Sequence, residues 1–215
     1  MTQPDPHRRF QIALERARAD WAAADPGLSA GLSGCVLSPQ GIVLPFFRAW
    51  HLVTHPAGDV LFLGPDTPAD MSAALAAAKP AHPSVAIALI HYLLTADGTP
   101  SADRWVTFRE LPDGLFYAQA FAGHEEAVLA QRYGQDLAAF RAAAAALGGQ
   151  PLDLADASFR FQALPRLALA VLLWEGDEEF PARARILFDA HAGHYLPTED
   201  LSGLGDWLAH GLTRR

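Results

Sequence analysis

Asp189, His191 and His194 stand close together near the C-terminus, immediately after a predicted strand. Two imidazoles with one carboxylate form a recognised ligand set for zinc or non-haem iron, so these three are the candidate metal ligands. Gly193 leaves the loop between them unconstrained, and convergence is not imposed by the spacing. A second group is the acidic run Glu175, Asp177, Glu178 and Glu179, whose oxygens suit a hard cation. The run lacks the alternating ligands and distal bidentate glutamate of a calcium loop, and a solvated hairpin turn that guards a strand edge is the plainer reading. Arg166, Arg183 and Arg185 flank these acids, and on adjacent strands they could form an ion-pair lattice or hold a carboxylate or phosphate. His91 lies in an apolar helical segment, where it is either a base or ligand or a core imidazole satisfied by a hydrogen bond. His91, Arg166, Glu175, Asp177 and Asp189 are therefore the candidate binding residues, expected to line one polar pocket.

Other chemistries have less support. The single cysteine, Cys35, excludes an internal disulfide and any four-thiolate zinc or iron–sulfur site, so no cluster of the protein's own is expected. Following Gly34, it reads as a small buried hydrophobe. His51 and His55 fall in a strand and a turn and need not share a face. No G-x-S-x-G elbow and no phosphate-cradling G-x-x-x-x-G-K loop is present, which argues against hydrolase, kinase and nucleotide-binding readings.

The elements that must position these residues follow from composition and pattern. The chain has 215 residues, 51% hydrophobic and 19% charged, enough apolar content to build a core. Its net charge of −8 would repel a phosphate backbone, so nucleic acid is not an expected partner. The N-terminus is polar with no export signal, and the longest apolar run, 167–174, is far short of the ~20 residues a span requires. A cytoplasmic protein without membrane attachment is expected. Asp5-Pro6 opens an amphipathic helix that Pro26-Gly27 stops. Short apolar runs from Val36 to Leu63, separated by turns at 38–41 and 55–59, form a β meander. Thr67 caps a helix that ends at Pro80, and His82-Pro83 opens an apolar helix over 84–95. A strand over 105–109 precedes helical stretches at 116–122 and 125–147, the latter kinked at Gly134. Strands follow over 158–163, 167–174 and 185–189, and Thr198 caps an amphipathic C-terminal helix. The continuous run 167–174 predicts a strand covered on both faces, sharing one core with the 84–95 helix. The expected fold is α+β: a single domain with a largely antiparallel sheet packed with helices, organised as 5–65, 67–148 and 157–212.

Two stretches carry a resemblance. One is Ile90-His91-Tyr92-Leu93-Leu94-Thr95-Ala96-Asp97-Gly98 with Trp105 to Pro112. The other is Leu164-Pro165-Arg166 with Trp174 to Pro181, closing on Ile186-Leu187-Phe188-Asp189 and Tyr195-Leu196. Over roughly 13–208 the chain resembles the DUF3786 family of bacterial and archaeal proteins, a family without an established activity. The resemblance implies a link to anaerobic one-carbon or corrinoid metabolism, because some relatives carry a cysteine-rich iron–sulfur segment ahead of the shared domain. This chain departs from that pattern in having Cys35 alone. Three functions remain: a non-catalytic protein that binds a small molecule or a protein partner, an enzyme using the acidic, arginine and histidine groups with or without a metal, and a homo-oligomer packed through Trp21, Trp50 and Trp207.

Overall fold

The structure is a computed structural model in which residues 6–66, 68 and 70–214 are described. Asp5 and Thr67, expected to cap helices, lie outside the described residues. The chain divides into two units, Met1–Thr99 with His194–Leu196, and Pro100–Gly193 with Pro197–Arg215. The class is α+β and every strand pair is antiparallel, as expected, but the strands form two five-stranded sheets where one was expected. The predicted helix 84–95 and strand 167–174 fall in different units.

In the first unit α1 (Pro6–Ala22) is followed by α2 (Pro26–Ser33). Pro26-Gly27 therefore opens a helix that was expected only to end there. The Asp25 carboxylate accepts hydrogen bonds from the Gly27 and Leu28 amides, and proline at the first helical position has no amide proton to leave unpaired. The meander follows as β1 (Val36–Ser38), β2 (Gly41–Phe46), β3 (Ala49–Thr54) and β4 (Val60–Gly64). The β1–β2 turn needs Gly41: its φ is +145° and a Cβ there would meet the Val53 carbonyl oxygen at 2.1 Å. Asp70 caps α3 (Met71–Ala76), and β5 (Lys79–Pro80) completes the sheet, in the order β1-β2-β3-β4-β5. In α4 (Pro83–Thr95), capped by His82, the residues 86–90, Tyr92 and Leu93 are all buried, as its apolar composition predicts. Trp21, fully buried, donates its indole N–H to the Thr54 carbonyl, so it is not on hand for a subunit interface.

The second unit opens with β6 (Trp105–Thr107) and a 3₁₀ turn, Phe108–Glu110. The helices expected at 116–122 and 125–147, the latter kinked at Gly134, form α5 (Ala118–Phe121), a π-helical segment Ala122–Glu126, α6 (Ala127–Tyr133), which ends at Gly134, and α7 (Leu137–Ala146). A short strand that the pattern does not predict, β7 (Gln150–Leu152), leads to β8 (Ala157–Leu164), β9 (Leu167–Trp174) and β10 (Arg183–Asp189). The order is β6-β10-β9-β8-β7. The chain ends in α8 (Thr198–Thr213), where Thr198 is the first helical residue and its hydroxyl donates to the Pro112 carbonyl instead of capping.

Side chains alternate across this sheet. Phe159, Phe161, Leu169, Val171, Leu173, Ile186 and Phe188 point to one side, where α6 and α7 pack against the strands. Phe140 of α7 meets Phe159 edge-on, and Phe121 and Phe108 close on Phe188. Burying this face at ~25 cal/mol per Å² of apolar surface is the main source of stability in the unit. The other face carries Arg160, Ala168, Ala170, Leu187 and Asp189.

Candidate functional site

Strand geometry separates the candidate binding residues. Arg166 lies in the β8–β9 turn, and Glu175 follows the last residue of β9. At about 3.3 Å per residue the nine steps between them cover roughly 30 Å, so Arg166 and the Glu175–Asp177 turn stand at opposite ends of the sheet. Asp189 is at the Arg166 end, because β10 runs antiparallel to β9 with Phe188 opposite Leu169. The four groups therefore cannot line one pocket. His91, half-buried on α4, belongs to the other unit.

The acidic turn is built by its own backbone. Asp177 accepts hydrogen bonds from the Glu179 and Phe180 amides at 2.8 and 2.7 Å, and these hold its carboxyl below the ordinary value. The flanking arginines go elsewhere. Arg183 lies over the Trp174 ring, and Arg185 pairs with the buried Glu126 carboxylate. No ion-pair lattice forms with the turn among the described residues.

Asp189, His191 and His194 also diverge. Asp189, 6% exposed, accepts four hydrogen bonds: from the Ser101 hydroxyl at 2.6 Å and from the amides of Ala102, Asp103 and His191 at 3.0, 3.2 and 2.8 Å. Burial pushes its carboxyl up, and these donors outweigh burial to hold it below the ordinary range. The lone pairs a metal would need are thus engaged. His191 places Nδ1 2.9 Å from the Pro100 carbonyl, whereas His194, in the first unit, places Nδ1 2.7 Å from Asp97, holding that carboxyl well below its usual range. Among the described residues no group of three or more His, Cys, Asp or Glu side chains is placed to hold a metal ion. Tyr92, expected as a packed ring with a satisfied hydroxyl, donates to the Ser33 carbonyl at 2.7 Å. Cys35 is half-buried, more open than expected.

What the second sheet does assemble is a cleft of about 190 Å³ on the face turned away from α6 and α7. Every strand contributes: Trp105 from β6, Asp189 from β10, Ala168 from β9, Arg160 from β8 and Leu152 from β7. Trp105 and Asp189 are direct cross-strand partners, and Arg160 faces Gln150 on one side and Ala170 on the other. The arginine donates to two neutral amide oxygens, Gln162 Oε1 at 2.7 Å and Gln150 Oε1 at 3.3 Å. Among the described residues no carboxylate lies within ion-pair distance of its guanidinium, so the fork is oriented but its charge is not neutralised. Asp189 gathers Ser101 to Asp103 into the rim, and the exposed Asp103 carboxylate completes it.

Residues 25–210 match the family described as a domain of unknown function, DUF3786. The chain belongs to this family. The match spans both units and takes in all the strands of the cleft and most of α8. No curated protein and no solved structure matches the chain. Of the five expected binding residues, this DUF3786 domain places Asp189 alone at the cleft. Arg160 was not singled out in the sequence, because an arginine alternating with apolar residues in Ser158 to Ala163 looks like any solvated position on a half-buried strand.

Proposed function

We propose that this chain is a cytoplasmic, non-catalytic protein that binds a small organic molecule carrying a carboxylate, in the cleft on the open face of the second sheet. The observation that carries the reading is Arg160: a guanidinium held in place by two uncharged amides, with no acidic partner, above an alanine floor and in a cleft walled by Trp105. A bidentate guanidinium–carboxylate contact supplies orientation as well as affinity. The indole covers an apolar or planar ligand body, and the Asp103 carboxylate at the rim accepts from a hydroxyl or ammonium group on the same molecule. At about 190 Å³ the cleft is below the usual ~300–1,000 Å³ of drug-sized and cofactor sites, which favours a hydroxy acid or amino acid over a nucleotide. Among the described residues no helix is long and apolar enough to cross a membrane.

The test is a calorimetric titration with small hydroxy acids, amino acids and dicarboxylates. We expect saturable binding by at least one of these classes, quenched tryptophan fluorescence that is lost in Trp105→Phe, and at least ~10-fold weaker binding in Arg160→Gln, ~1.4 kcal/mol or more. The unfolding midpoint of Arg160→Gln should stay near wild type, since the residues it leaves are exposed amides able to bond water. Absence of binding at millimolar concentration, or equal affinity in the variant, rejects the reading.

A further inference from the structure

The cleft on the open face of the second sheet holds opposite charges that do not meet. Arg160 stands at one end, and Asp103 and Asp189 stand at the other. Arg160 pairs with Ala170 and Ala170 with Leu187, so Asp189 lies two strands and two residues away, roughly 12 Å between Cα atoms at about 4.8 Å per strand and 3.3 Å per residue. Asp189 is not the open end of this pair, because its two oxygens accept four hydrogen bonds from the rim. Asp103 is. Its φ of +51°, uncommon outside glycine, turns it out of line with β6, and its amide donates to Asp189 Oδ2 at 3.2 Å. Ser101 has one hydroxyl proton, and the 2.6 Å contact with Asp189 Oδ2 takes it. The same hydroxyl oxygen lies 3.2 Å from Asp103 Oδ1, with no second proton for that contact. Two acceptors therefore sit side by side at the rim, and among the described residues no basic side chain is within ion-pair distance of the Asp103 carboxylate.

We infer that the carboxylate ligand of this cleft also carries a protonated amine: an amino acid held by both its charges, with its carboxylate on the Arg160 fork and its ammonium on Asp103 and Ser101. The inference rests on the reading of Arg160 as a carboxylate site and adds the other half of the ligand. Hydrogen-bond supply decides for an ammonium over a hydroxyl. An ammonium has three N–H donors and no lone pair, so it can donate to Asp103 Oδ1 and Ser101 Oγ together, whereas a hydroxyl has one proton and sets its own lone pairs against the remaining acceptor. Charge decides the same way. Two carboxylates and one guanidinium line the cleft, so a hydroxy acid adds a further negative charge beside Asp103 and Asp189, and an amino acid adds none. Trp105, the cross-strand partner of Asp189, offers its indole to the carbon frame between the two charged groups.

The experiment is a calorimetric titration of the full chain with two matched sets, L-alanine, L-lactate and propionate in one, and 4-aminobutyrate, 4-hydroxybutyrate and butyrate in the other. Ethylammonium serves as the amine without a carboxylate. We expect the amine-bearing member of at least one set to bind at least tenfold more tightly than its two counterparts and than ethylammonium. In Asp103→Asn that margin should vanish while binding of the hydroxy and unsubstituted acids is unchanged. Asparagine is among the residues that visit positive φ, so this variant keeps the rim in place, and the ligand comparison on the unaltered protein stands without it. Equal binding across both sets, lost in Arg160→Gln, overturns the inference and leaves the Arg160 reading standing, as does an amine preference that survives Asp103→Asn. Ethylammonium binding as tightly as the better amino acid, or no binding by any probe, removes both.

Discussion

His51 stands on β3 with the Phe46 and Phe62 rings packed edge-on against it, 4% exposed, its Nδ1 3.1 Å from the Ala49 carbonyl. Burial among apolar rings disfavours the imidazolium, and although the carbonyl contact works against it, the pKa falls to about 4. The unfolded chain binds a proton near pH 6.5, where the folded protein does not. Stability from this residue is therefore complete above pH 6.5 and is lost as pH falls from there toward about 4. Between pH 7 and pH 5 the loss amounts to about 2 kcal/mol. Urea unfolding at the two pH values should show wild type losing about that much more than His51→Leu. Parallel losses would mean that the ring takes up its proton without unfolding. At the same scale, Asp189 shows why a chemically suggestive residue need not be a ligand. Its spacing to two histidines reads as a metal set, yet its oxygens are filled by the backbone of its own loop and by Ser101.

Elements were legible where local signals agree and obscure where register or a single proline decides. The meander strands and α4 were readable because turn residues bracket apolar runs and a His-Pro pair opens the helix. Asp25-Pro26 carries the same capping signal and was read as a stop, which concealed α2. Proline in Gln150-Pro151-Leu152 concealed β7, an edge strand that tolerates it. The cleft draws one residue from each of five strands, and only the register, absent from local pattern, brings them together. How tightly α8 sits is testable at Gly205. Alanine there gains about 1 kcal/mol of helix propensity, but its Cβ would meet the Phe121 ring at 2.5 Å. Phe121 is 1% exposed and stacked on Phe108 at 4.4 Å, so it has nowhere to swing, and overpacking of this kind costs about 1–3 kcal/mol. The clash should win, and Gly205→Ala should lower stability by about 1 kcal/mol in chemical denaturation. A stabilised variant would show that the aromatic stack yields.

For the whole molecule, the division of the chain matters more than its length. The first unit is not simply the first 99 residues, because His194–Leu196 belongs to it. Tyr195 and Leu196 are 1% and 0% exposed; the tyrosine ring lies 5.8 Å from Tyr92 and its hydroxyl donates to the Thr99 carbonyl. His194 adds its contact with Asp97. A fragment ending at Thr99 would therefore keep α1 to α4 and the whole first sheet but lose two core side chains. Removing a buried aromatic costs about 3–5 kcal/mol and a buried leucine about 2–5 kcal/mol, with only ~5–15 kcal/mol available to an entire domain. The shortfall is comparable to the total. Residues 1–99 expressed alone should be molten or unfolded, with poor amide dispersion in an NMR spectrum and no sharp thermal transition. Adding residues 100–215 in trans should restore dispersion, because that piece returns Tyr195 and Leu196. A cooperatively folded 1–99 fragment would show instead that the three-residue segment is a passenger of the unit it lies in.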